Sequence, residues 1–223
     1  MIYRSYKTQL IINDKQQTIL RKNVGCARWA FNWALDIKKQ AFDNKQKIPS
    51  YIDLSSEFTK LKKTAIPWMY ESSRYATQNA LIDCDAAFKN FFTRCKKKIK
   101  GNKGFPKYKS RRNGKQSFKL HGNISVGLNY IMLPRIGKVK LCQLGYIPTN
   151  CKILSATIST RAGKWFVSVN IETPDKVPSE PINKIIGVDL GIKNLATCSD
   201  GSVYQNPKAL KANLTKLKRR QRN

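Results

Sequence analysis

Few residues in this chain have types and surroundings suited to chemistry, and the sharpest of them is Asp189. It sits between Val188 and Leu190, three residues after the apolar pair Ile185-Ile186 and two before Gly191. A carboxylate on a mostly apolar strand is costly to bury unpaired, so it needs a metal ion, a cation or several hydrogen-bond donors. Two readings follow. Asp189 holds a divalent ion, for which hard oxygen ligands suit Mg²⁺, or its side chain accepts turn N–H groups near Gly191.

The second constellation is a run of cations. The chain carries 43 Lys and Arg against 13 Asp and Glu, a formal net charge of +30. No acidic residue lies between Asp85 and Glu172, an interval with 19 Lys or Arg, and Arg94 to Lys119 alone holds 12. Such a body repels itself unless a polyanion or bound counterions offset the charge. The side chains expected to bind nucleic acid are Lys96, Lys97, Lys98, Lys100, Lys103, Lys107, Tyr108, Lys109, Arg111, Arg112 and Lys115, through phosphates rather than bases. Phe105 and Tyr108, interleaved with these cations, either stack on bases or anchor the loop.

Other chemistries are disfavoured. The six cysteines, Cys26, Cys84, Cys95, Cys142, Cys151 and Cys198, include no C-x-x-C pair, and His121 is the single histidine with no cysteine beside it. A zinc site is therefore not expected. Cys84 and Cys95 read as small buried residues of a helix. No apolar run of about 18 residues exists to span a membrane, and the first residues lack the apolar core of a secretory signal. A cytoplasmic, nucleoid-associated chain without a membrane partner is expected. A hydrophobic content of 41% excludes a disordered basic tail.

The elements that would position these residues can be read from period and punctuation. Ile2 to Ile12 alternates with period two, as a strand does. Asn13 or Asp14 can cap a helix to about residue 42, with Trp29 and Trp33 sharing one face by their i, i+4 spacing. A polar linker precedes a short helix around Leu54 to Lys62. After Pro67 a long helix runs from about Ser72 to Lys100, where Gly101 stops it. Short strands follow at Ser117 to Leu120, Tyr130 to Leu133, Lys138 to Cys142, Lys152 to Thr160 and Trp165 to Ile171. The last two flank a hairpin turn at Arg161 to Lys164. This is an α+β pattern, a small barrel or sandwich over 1–12 and 101–173 with a helical block over 13–100 inserted after its first strand. A linker at 174–183, containing Pro174, Pro178 and Pro181, leads to a further domain over 184–223. That domain should hold two strands around Gly191, a turn at Asp200-Gly201 and a basic helix from about Pro207 to Arg222.

Five stretches, in order, carry a resemblance to a known family. GVDLGIKNLATCSDG (Gly187 to Gly201) resembles the first RuvC motif of the TnpB family, the OrfB-type transposon-encoded RNA-guided nucleases. Gly104 to Lys109 with Ser117-Phe118 resembles its G-x-P-x-[FY]-K … S-F stretch, and Leu133 to Lys140 its L-P-[KR]-x-G-x-[IV]-K strand. Gly163 to Ser168 is similar to its G-x-W-[FY]-V-S strand, and Gly25 to Trp33 to its first helix. The resemblance implies a β-barrel wedge domain interrupted by a helical recognition block, then an RNase H-like nuclease domain. It implies guide RNA and target DNA as partners, with base pairing supplying specificity.

The chain departs from that pattern after Asp189. The family's nuclease uses three acids and two metal ions, and here only Asp200 follows. Asp189 is thus the one catalytic and metal-binding acid expected, with Mg²⁺ needed only by a completed site. A missing C-terminal segment or companion chain would supply the rest, and the chain alone is expected to bind guide RNA and DNA without cutting. The alternative is a non-catalytic RNA- or DNA-binding protein, a nuclease-dead regulator or relic. A general basic RNA-binding protein explains the charge but not the ordered stretches.

Overall fold

The structure is a computed structural model that describes residues 2–97, 101, 103–112, 116–173 and 185–222. The chain divides into two units, Met1–Asp175 and Lys176–Asn223. The linker expected at 174–183 lies outside the described residues.

The first unit runs β1 (Ile2–Ile11), α1 (Asp14–Asp43), α2 (Tyr51–Thr64), a 3₁₀ turn (Pro67–Glu71) and α3 (Arg74–Lys96). It continues with β2 (Gln116–Leu120), β3 (Ser125–Val126), β4 (Tyr130–Leu133), β5 (Gly137–Leu141), β6 (Lys152–Arg161) and β7 (Lys164–Thr173). Its strands form one seven-stranded sheet in the order β2-β6-β7-β1-β5-β4-β3, with antiparallel pairing throughout. The first strand thus lies between the last strand and β5, in register from Ile2 opposite Thr173 to Leu10 opposite Trp165. The helices fill the sequence between β1 and β2, and share a single hydrophobic core with the sheet.

Period-two alternation sets the sheet's inner face. On β7, Trp165, Val167, Val169 and Ile171 are buried while the residues between them are not. Burying each such side chain contributes about 1.5–3 kcal/mol, and a one-residue slip would turn all four outward. The β6–β7 hairpin closes through Ala162 (φ 48°) and Gly163 (φ 74°). Two successive left-handed residues are what a tight hairpin needs to match strand twist.

The helices begin where capping chemistry allows. Asn13 Oδ1 accepts from the Gln16 backbone N–H at 2.8 Å, and Gln16 Oε1 accepts from the Asn13 N–H at 3.2 Å. Gln16 Nε2 also donates to the Lys138 carbonyl on β5, tying the helix start to the sheet. A second reciprocal cap, Ser50 with Asp53, starts α2 at Tyr51, three residues before the start expected from its apolar pattern. Helix α3 ends at Lys96 rather than Lys100, and residues 98–100 lie outside the described ones. β3, only two residues long, shows no period by which a sequence could reveal it.

Two polar groups inside this core are specified by their partners. Lys38, with only 2% of its side chain exposed, donates to Asp85 Oδ1 at 2.8 Å and to the Pro49 carbonyl at 2.7 Å. Burial pushes the Asp85 carboxyl up, but hydrogen bonds from Lys38 and Lys89 outweigh it and hold the group below its usual range. His121 Nδ1 lies 3.0 Å from Asn79 Nδ2, an amide nitrogen that also donates to the Tyr75 and Lys119 carbonyls. Burial lowers the His121 pKa, the Lys119 charge adds to the effect, and Asp83 opposes it.

The second unit holds β8 (Val188–Leu190), β9 (Asn194–Cys198), β10 (Val203–Gln205) and α4 (Ala209–Gln221), with strand order β10-β9-β8. The Asp200-Gly201 turn forms as expected. Asp200 Oδ1 accepts from the Ser202 N–H at 2.9 Å, and Gly201 sits at φ 87°. No described side chain over 185–222 is buried.

Asp85→Ala leaves the Lys38 ammonium buried without a carboxylate and is expected to cost about 3–5 kcal/mol in denaturant unfolding. Lys38→Met removes the buried charge and should cost far less. His121 has a folded pKa below its unfolded value, so the unfolded chain binds the proton first. Stability should therefore fall as pH drops through the ordinary histidine range, and urea titrations of His121→Gln should show that part of the slope removed.

Candidate nucleic-acid interface

The basic segment after α3 is held to the helices rather than hanging free. Phe105 packs on Phe42, Phe88 and Phe91 with ring centroids 5.0–5.7 Å apart. Tyr108 donates its hydroxyl to Asp36 Oδ1 at 2.8 Å, which raises the phenol pKa. Asn32 makes a two-way backbone clamp, accepting from the Lys109 N–H at 2.8 Å and donating to the Lys109 carbonyl at 3.0 Å. The two aromatics left open by the sequence are thereby anchors, Phe105 in an aromatic cluster and Tyr108 through its hydroxyl.

This anchoring sorts the cations into two kinds. The Lys109 ammonium lies 3.9 Å from the centroid of the buried Phe31 ring, and burial lowers its pKa, opposed by Asp83 and Cys84. Its stem packs inward while part of the residue reaches solvent. Lys96, Lys97, Lys103, Lys107, Arg111 and Arg112 are exposed, as Lys109 is, but no ring contact lies beneath them among the described residues. Lys98, Lys100 and Lys115 lie outside the described residues.

Arg111 joins a group of cations that the linear run does not reveal. A hollow of about 690 Å³ is lined by Arg21, Lys22 and Arg28 of α1, by Arg111, and by Gly163 and Trp165 at the β6–β7 hairpin. Arg28 is oriented by donating to Gln116 Oε1 at 2.8 Å. Arg21 and Arg28, spaced seven apart on α1, sit two helical turns apart on one face, a signal visible in the sequence but outweighed by the denser run downstream. Among the described residues the lining holds Arg and Lys and no carboxylate, the composition that holds a phosphate backbone.

In the second unit, Asp189 lies on β8 opposite Thr197 and is exposed, not buried as its apolar neighbours suggest. A three-residue strand with no covering layer leaves Val188 57% and Leu190 77% exposed beside it. The turn N–H of Gly191 donates to the Leu195 carbonyl rather than to Asp189. No three His, Cys, Asp or Glu side chains converge among the described residues. These residues alone therefore do not fit a Mg²⁺ centre, because one carboxylate cannot clamp the ions of a two-metal site.

Removing Arg21 or Arg111 (each to Ala) is expected to weaken RNA binding. The slope of log affinity against log salt should fall by about 1 for each phosphate no longer neutralised. Lys109→Ala should instead lower thermal stability, by about 1 kcal/mol for the ammonium removed from the Phe31 ring. Salt-series anisotropy and melting curves on the three variants separate the two kinds of cation.

Residues 1–47 match the family model described as "Helix-turn-helix domain", and residues 156–223 match the one described as "Probable transposase". Over the first of these regions the structure holds a strand and one unbroken 30-residue helix. The curated protein "Putative RNA-guided DNA endonuclease InsQ" of Escherichia coli (strain K12) is 28% identical over 98% of this chain and 53% of its own length. A "Putative RNA-guided DNA endonuclease" of Streptomyces pristinaespiralis is 29% identical over 99% of this chain and 54% of its own. The chain thus spans about half the length of the curated relatives it matches. A solved chain titled "Cryo-EM structure of the Cas12f1-sgRNA-target DNA complex" aligns over 99% of this chain and 61% of that one, at 14% identity and a TM-score of 0.37. Both family models and two relatives along nearly its whole length support a TnpB, or OrfB-type, protein.

Proposed function

We propose that this chain is the nucleic-acid-holding portion of a TnpB-like RNA-guided DNA endonuclease, with guide RNA and target DNA as its partners. The observation that carries this reading is the cation-lined hollow between α1 and the β6–β7 hairpin, where Arg21, Lys22, Arg28 and Arg111 stand together. A guide–target duplex is read through its backbone, which asks for cations without base-specific groups. On this reading the seven-stranded sheet is the wedge, closing as a small barrel, and α1 to α3 are the recognition block.

Asp189 is the first acid of the nuclease centre in this proposal. The other carboxylates come from outside these 223 residues, since Asp200 is the only acid after Asp189 and its side chain caps its own turn. This chain by itself is then a binder. Its exposed apolar side chains Ile185, Ile192 and Leu210 would be covered by the rest of the nuclease domain.

Expression beside the native flanking DNA, pull-down at moderate salt and sequencing of the bound RNA tests the reading. One discrete transcript encoded next to the gene is expected, and a broad smear of cellular RNA would favour a general polyanion binder. In the purified chain with Mg²⁺, no DNA cleavage is expected, and Asp189→Ala should bind RNA as the parent does. Cleavage by the chain alone would overturn the division of labour proposed here.

A further inference from the structure

Beside the cationic hollow, and sharing Lys22 and Arg28 with it, lies a second hollow of about 630 Å³ walled by tryptophan. Its lining includes Trp29, Trp33 and Trp68 with Gly25, Cys26 and Asn32. Trp29 and Trp33 present near-parallel rings, 8° apart in plane with centroids 6.5 Å apart, and Trp68 stands edge-on to Trp29 at 83°. Phe58 braces both helix tryptophans from the core side, at 6.2 and 5.3 Å. The i, i+4 pair is therefore packed on the core along one side only. The two rings remain half-buried, and Trp68 is 46% exposed.

Core packing holds Trp29 and Trp33 along one side, and Gly25 lines the open side. It lies in the interior of α1, where glycine costs roughly 1 kcal/mol relative to alanine. A Cβ added there would meet nothing within 4 Å. No neighbour requires the glycine, and the space over it is open floor of the hollow. The rim is cationic on balance. Lys22 pairs with Glu71, which leaves Arg28, and beyond it Arg21 and Arg111, to face an approaching anion. Flat aromatic walls next to a cation row match a planar heterocycle joined to a phosphate chain. The volume is that of a site for a single small ligand.

We propose that the Trp29–Trp33–Trp68 hollow receives one unpaired nucleobase, turned out of a nucleic-acid strand whose backbone continues along the Arg21–Arg28–Arg111 hollow. This rests on the nucleic-acid binding proposed above. It adds that part of the affinity is stacking, which salt does not screen.

The test uses the full chain with a labelled single-stranded RNA, the DNA of the same sequence, and the perfect duplex of each, followed by anisotropy and intrinsic tryptophan emission. Single strands should quench the emission more than duplexes do. Trp68→Ala should weaken single-strand binding roughly tenfold, with the salt slope unchanged and Trp68→Phe restoring most of the loss. Gly25→Leu should fill the hollow, raise the melting temperature through better helix propensity, and weaken single-strand binding as Trp68→Ala does. A loss on both RNA and DNA assigns the site to a base face alone, and a loss on RNA only assigns it to the RNA strand; either supports the proposal. Unchanged binding of both variants to both single strands would overturn it while leaving the backbone-binding reading intact. Failure of the parent chain to bind any of the four probes would overturn both.

Discussion

The ladder between β1 and β7 is the interaction on which the first unit depends. It joins residues that are far apart in the chain, from Ile2 opposite Thr173 to Leu10 opposite Trp165, and Ser5 Oγ adds a bond to Asn170 at 2.6 Å. The entropy of closing so long a loop grows only as the logarithm of its length, so a long ladder over a buried face readily offsets it. With β1 fixed between β7 and β5, α1 must start at the sheet, where the Asn13 cap and the Gln16 bond to β5 set its direction. That direction brings Arg21 and Arg28 beside the β6–β7 hairpin and presents Trp29 and Trp33 to Trp68. The surface proposed to hold nucleic acid is thus a by-product of where the first strand pairs.

A body with this charge must also keep its cations from disrupting its own fold. Two devices do so. Lys38 is taken inward and matched to Asp85 and a carbonyl, and the ammonium of Lys109 rests over the face of Phe31. Its neighbours Lys107, Arg111 and Arg112 are displayed on a segment that Asn32 pins at the Lys109 backbone and Asp36 pins at Tyr108. Self-repulsion is thereby concentrated where a polyanion can relieve it.

Much of the fold is legible in the sequence because its signals are local. The period of β7, the punctuation at Asn13 and Ala162-Gly163, and the helical spacing of α1 and α3 all correspond to observed elements. The start of α2 reads late from its apolar pattern, which begins only after the Ser50–Asp53 cap. The candidate site is less legible. A linear run draws attention to residues 94–119, whereas the hollow takes its cations from α1 and one loop arginine brought together by tertiary pairing. Trp68, reached only after a 3₁₀ turn begins, has no sequence feature that aims it at Trp29. For Asp189 the apolar neighbours suggest burial, but burial needs a second layer, and the described second unit provides none over β8.

The two units carry quite different cationic surfaces, one a pair of adjoining hollows, the other an exposed basic helix with Lys216, Lys218, Arg219 and Arg220. We propose that the first of these holds the strand. Ultraviolet cross-linking of the bound RNA to the intact chain, with the attached peptides identified by mass spectrometry, tests it most directly. Adducts are expected on α1 between Arg21 and Trp33, on Trp68 and on the Arg111 segment. Adducts confined to 208–222 would contradict it.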